Sequence, residues 1–112
     1  MTMPLAWRVR VRALNDHLRC QHQGGRIVIT PGVQALDETT IQRLDAALTA
    51  FSAFSPDNDP HDEHDFGALT VDGHRVFFKI DYYDLDLRGA SPDPADPSVT
   101  QRVLTLMLAE EY

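Results

Sequence analysis

The stretch Gly67-Ala-Leu-Thr-Val-Asp-Gly-His-Arg-Val-Phe-Phe-Lys79 decides the fold. Asp72-Gly73 sits between two apolar runs, and both positions of a two-residue hairpin turn need positive φ, which Asp and Gly tolerate. The pair predicts a type I′ hairpin and with it a register. Val71 stands opposite His74, Leu69 opposite Val76 and Gly67 opposite Phe78 on one face. The other face pairs Thr70 with Arg75, Ala68 with Phe77 and Phe66 with Lys79. The first set is the more apolar, so it should meet the helices. One further step sets His64 against Asp81, with Cβ atoms about 5 Å apart if pairing extends that far. The same step turns Asp65 toward the core, so the ladder is expected to end near Phe66.

Upstream lies Asp57-Asn-Asp-Pro-His-Asp-Glu-His-Asp-Phe-Gly67, with five carboxylates, two imidazoles and one amide. It adds little to a core and reads as a solvated acidic loop or a site. Further upstream, Asp37 is a good N-cap for a helix whose Ile41, Leu44, Leu48 and Phe51 share one face. Ser55-Pro56 stops that helix. Arg26 to Thr30 reads as a short strand, followed by a turn at Pro31-Gly32. Residues 5 to 21 fit two patterns. Trp7, Val9 and Val11 alternate as in a strand, while Trp7, Val11, Leu14 and Leu18 line one helical face. The helical pattern covers more residues and is preferred, with Gly24-Gly25 ending it.

Downstream, residues 85 to 96 form a loop rich in proline and aspartate. Asp96-Pro97 then predicts a helix start, and Val99, Val103, Leu104, Leu106, Met107 and Leu108 predict that this last helix is central to the core. The expected class is α+β, one domain over residues 1–112. A small antiparallel sheet containing the hairpin packs against about three helices.

The formal net charge is −7, with 43% hydrophobic and 24% charged residues, as in ordinary globular chains. Most of the acids fall between residues 57 and 96, while Arg8, Arg10, Arg12, Arg19 and Arg26 face only Asp16 in the first thirty positions. The chain lacks the dominant basic face that direct nucleic-acid binding needs. No apolar run approaches the roughly 20 residues of a membrane span, and the first residues do not read as a signal peptide. A single cysteine, Cys20, excludes an intrachain disulfide and fits a cytoplasmic setting.

Several motifs together resemble a known family: Leu14-Asn15-Asp16, Thr30-Pro-Gly-Val33, Asp57-Asn-Asp-Pro60, Glu63-His-Asp-Phe-Gly67, Lys79-Ile-Asp-Tyr-Tyr-Asp84, Ser91-Pro-Asp-Pro-Ala-Asp-Pro97 and Thr100 to Tyr112. The chain resembles the bacterial family called domain of unknown function 3768 over nearly its whole length. The resemblance implies a small standalone protein of the kind carried on plasmids and prophages, and it implies no activity. Against the usual family pattern, Asp62 stands where glycine is expected and Phe78 where tryptophan is common.

Three readings of the polar cluster follow. As a catalytic site, His64 would be the base, Asp81 its orienting group and Lys79 the positive charge, with Tyr82 or Tyr83 as a proton donor. As a metal site, Glu63, His64 and Asp81 would ligate a divalent ion, although the spacing matches no standard motif. No cofactor is favoured. As structure alone, His64 would bond Asp81, Lys79 would pair with a carboxylate such as Asp65, and Asp59 would cap a turn through residues 61 to 64.

The functional expectation is a small acidic module for a protein partner with a basic surface. Such a module could inhibit a host defence or nucleic-acid-processing complex by mimicking DNA, and a non-enzymatic role is preferred over an enzymatic one. Asp57, Asp59, Asp62, Glu63, Asp65, Asp84 and Asp86 would carry it. The alternative is a small metal-dependent hydrolase built on Glu63, His64, Asp65 and Asp81.

Overall fold

The computed structural model describes residues 4–112. The first helix, α1, spans Leu5–Gln21 and buries Val11, Asn15, Leu18 and Arg19. That helical spacing settles the ambiguous segment in favour of the helix. His22 ends it in the left-handed conformation, with its amide donating to Leu18 O. Strand β1 covers Arg26–Ile29. Where a turn is expected at Pro31-Gly32, the chain makes a single helical turn, α2 (Pro31–Gln34), capped by the Thr30 hydroxyl. Helix α3 (Glu38–Ala50) begins at Asp37, whose carboxylate accepts from Thr40 N, and it buries Leu44 and Leu48 completely.

The hairpin forms with the register as read. Strands β2 (Phe66–Val71) and β3 (His74–Tyr83) pair in all six expected positions, from Phe66 with Lys79 to Val71 with His74. Asp72 and Gly73 have φ of 51° and 80°, the signs that the turn demands. Leu69, Val76 and Phe78 enter the core with Leu18, Val33, Leu44 and Leu48. Gly67 is glycine for a packing reason. A Cβ there would lie 2.2 Å from the Phe78 ring and 2.7 Å from that of Phe51.

The segment after Asp96 corrects the expectation of a last helix. Asp96 does cap, accepting from Ser98 N, but only a 3-10 turn follows (Pro97–Val99). The chain then runs extended as β4 (Gln101–Leu108). Its apolar residues lie on both faces because it is an interior strand. Arg102, Leu104 and Leu106 point toward the helices, while Val103, Thr105 and Met107 alternate onto the other face, where Met107 is still buried. A strand clothed on both sides mimics a helix that is apolar all round, and periodicity alone does not separate the two.

The strand order is β1-β4-β3-β2. Strands β2, β3 and β4 are antiparallel, whereas β1 runs parallel to β4 with Arg26 beside Val103 and Ile29 beside Leu106. The sheet is therefore mixed and not purely antiparallel. The class is α+β, with side chains from all three helices packed on one face of the sheet. On the other face Phe66 and Phe77 meet the ring of Tyr112.

Candidate functional site

The acidic loop after α3 is tied down by its own polar side chains. Asn58 accepts from Ser55 N and donates to Ala53 O. Asp59 is buried, and its carboxylate accepts from Glu63 N at 3.0 Å and from His64 N at 3.2 Å. This is the turn cap that the sequence suggests. Asp62 and His64 both have positive φ, 55° and 56°. The left-handed region favours glycine, the residue that the family resemblance leads one to expect at position 62.

His64 is fixed on two sides. Its ring lies flat on Phe54, with centroids 3.8 Å apart and planes 2° from parallel. Its Nδ1 is 2.8 Å from Asp16 Oδ1 on α1. The same Asp16 oxygen accepts from Arg19 Nη1 at 2.9 Å, and the Arg19 guanidinium covers the Phe54 ring at 5.1 Å. Nε2 of His64 is left facing Asp59 Oδ2 at 3.8 Å and Asp62 Oδ1 at 4.0 Å. The other Asp62 oxygen, Oδ2, is paired with Arg12. One ligand atom from each of Asp59, Asp62 and His64 lies within 4.8 Å of the others. They line an open cleft of about 270 Å³ together with Phe54, Ser55, Pro56 and Pro60.

A buried polar chain braces this loop from below. Arg102, 1% exposed, donates through Nε to Asn15 Oδ1 at 2.6 Å and through Nη2 to Pro94 O. Asn15 Nδ2 donates to Glu63 O and to the Tyr82 hydroxyl, and that hydroxyl donates to Glu63 Oε1 at 2.8 Å. Burial pushes the Tyr82 phenol well above its ordinary range and pulls the Arg102 guanidinium down. Tyr82 is thus a hydrogen-bond donor held neutral.

The residues expected to converge do so only in part. Lys79 and Asp81 share a face and pair at 3.1 Å, and that pairing raises the Lys79 ammonium pKa. They lie on the helix-free face, so the expected contact of His64 with Asp81 does not form. The reason is local. Only one backbone bond, Ile80 N to Asp65 O, continues the ladder past Phe66. The left-handed turn at His64 then carries its ring under α1 instead. Lys79 accordingly pairs with Asp81 and not with Asp65.

Glu63 is engaged by Tyr82 and stands outside the ligand cluster. Asp65 is half-buried, and burial first, then the charge of Glu63, raises its pKa. Of the other acids, Asp57 and Asp86 are exposed, while Asp84 caps the turn at Arg88 N. The charge separation along the chain is not kept in space, because α1 lies against the acidic segments. Arg12 pairs with Asp62, Arg10 donates to Ala95 O, and Trp7 donates to Asp93.

Asp16, Arg12, Phe54 and Asn15 complete the site and escape the sequence reading. One signal pointed to two of them: Leu14-Asn15-Asp16 is among the motifs of the family pattern, and Asp16 is the lone acid among the N-terminal arginines. Among the described residues no helix is long and apolar enough to cross a membrane. No curated protein and no solved structure matches the chain. The sequence profile of the family described as "Protein of unknown function (DUF3768)" matches residues 29–111, most of the chain, and the chain belongs to that family.

Proposed function

We propose that the cleft binds a divalent metal ion through Asp59 Oδ2, Asp62 Oδ1 and His64 Nε2, and that the ion activates water for a hydrolytic reaction. One observation carries this reading. Each candidate ligand turns one atom toward the common centre while a different group restrains it elsewhere. Asp16 holds His64 by Nδ1, Arg12 holds Asp62 by Oδ2, and backbone amides hold Asp59 by Oδ1, the His64 amide also reaching Oδ2 at 3.2 Å. Metal-binding imidazoles and carboxylates are commonly oriented this way by an outer shell of partners. Imidazole with carboxylates suits zinc, manganese or iron. Three protein ligands on an open cleft leave room for water, whose pKa an ion lowers toward neutrality.

The test is titration calorimetry and thermal unfolding with Zn²⁺, Mn²⁺ and Mg²⁺. An ion that binds only the folded chain at a hundred times its Kd adds about 2.7 kcal/mol of stability. His64→Ala and Asp59→Asn should abolish the shift. A wild-type chain that takes up none of these ions would end the metal reading.

A second reading keeps the acidic module for a basic protein partner, such as a host defence or nucleic-acid-processing complex met by a mobile element in the cytoplasm. It is favoured by Asp57 and Asp86, which are exposed and make no hydrogen bond or ion pair among the described residues. Capture of a host protein that is released by moderate salt, and lost on Asp57→Asn with Asp86→Asn, would support it. Salt-indifferent binding, or none, would count against it.

A further inference from the structure

We infer that the helix-free face of the sheet is a contact surface between two copies of this chain. The inference is independent of the metal reading. An antiparallel sheet can leave one face to water, and that face then usually alternates to polar residues. Here the outward positions include Phe66, Phe77, Tyr83 and Val103, each partly exposed, and the exposed ring of Tyr112 lies against Phe66 and Phe77. Val28 on the neighbouring strand is 41% exposed. Arg75 lies at one end, with its guanidinium 5.6 Å from the centroid of the Phe77 ring.

The charge at the middle of the face identifies the occupant. Lys79 and Asp81 stand two residues apart on β3 and pair at 3.1 Å. A uniformly basic or uniformly acidic partner would be repelled by one of them. A second copy would not, because a plus and a minus side by side are self-complementary about a two-fold axis. An axis lying between the two faces and crossing β3 at Ile80 sets Lys79 against Asp81 of the second copy, and Asp81 against its Lys79. The four charges then alternate in a ring. The same operation sets Phe77, with the Tyr112 ring beside it, against Tyr83 of the second copy. Because Thr105 is level with Lys79 and Val103 with Asp81, it also sets Thr105 against Val103. Two sheets packed face to face with aligned strands about 10 Å apart are a common architecture.

Light scattering on purified chain tests this, with circular dichroism to confirm that each variant is folded. Wild type at about 100 μM, above the micromolar-to-picomolar range of standard interfaces, should show twice the 12.6 kDa chain mass. Lys79→Asp and Asp81→Lys should each weaken self-association at least tenfold, because like charges then face one another across the axis. An equimolar mixture of these two variants should recover the dimer, since one now presents only acids and the other only bases. An effect confined to the fold of each chain cannot produce that recovery. A wild-type chain of monomer mass would overturn the inference without recourse to any variant. So would a dimer unchanged by either substitution, or a mixture that stays monomeric.

Discussion

Nδ1 of His64 lies 2.8 Å from Oδ1 of Asp16, a contact between the acidic loop and the fourth turn of α1 across 48 residues of sequence. Through it the helix sets the direction of the imidazole. The Phe54 ring beneath sets its plane, and together they leave Nε2 facing the cleft.

Asp16→Asn should weaken metal affinity roughly 10- to 100-fold without abolishing it, because it removes an orienting charge and not a ligand. Calorimetry beside His64→Ala, which should bind nothing, separates the two roles. Equal loss in both variants would place Asp16 among the ligands.

Asp62 combines a left-handed backbone with a carboxylate. Asp62→Gly and Asp62→Ala both remove the carboxylate and its pairing with Arg12, so their difference isolates the backbone. Glycine should be more stable than alanine by about 1 kcal/mol in urea unfolding, the cost of a Cβ in that conformation. Both variants should lose metal binding.

Asp65 should give the chain a stability that falls with pH. Its folded pKa is raised, first by burial, so between its unfolded value near 3.8 and its higher folded value the native state holds the proton more tightly. Stability from this group is present below that window and is lost as pH rises through it. Asp65→Asn should therefore raise the urea midpoint at pH 7, with the gain vanishing as pH falls toward 3.8. A gain independent of pH would show that charge is not the cause.

Asn15 is the hub of the buried polar chain. Asn15→Ala strips the Arg102 guanidinium of its Nε acceptor and leaves the Glu63 carbonyl without its side-chain donor. The expected loss is roughly 3 kcal/mol, as for a buried hydrogen bond to a charged group plus an orphaned partner. Leu14→Ala, on the half-buried neighbouring position, should cost less.

Local chemistry was readable where it was complete in itself. Asp72-Gly73 carries its own turn geometry, and six residue pairs follow from it. Asp37, Asp59 and Asp96 each cap the amides a few residues ahead of them. What could not be read depends on partners distant in the chain. Strand β4 looks like a helix because its second apolar face is outward on a sheet that the sequence does not announce. Likewise, His64 could be placed only up to the end of the ladder. Past that point its partner is chosen by how α1 crosses the loop, and Asp16, not Asp81, is the acid that the crossing supplies.

Strand β4 sits between β1 and β3 although it is the last of the four to be synthesised. On a ribosome, β1 would emerge early and find no neighbour, because Arg26 must wait for Val103. Only the hairpin can assemble beforehand, and a two-stranded ribbon alone is marginal in water. The nascent chain therefore carries an unsatisfied β-branched segment through most of its translation. Chaperone dependence and aggregation during overexpression should track this delay more closely than they track the stability of the finished molecule.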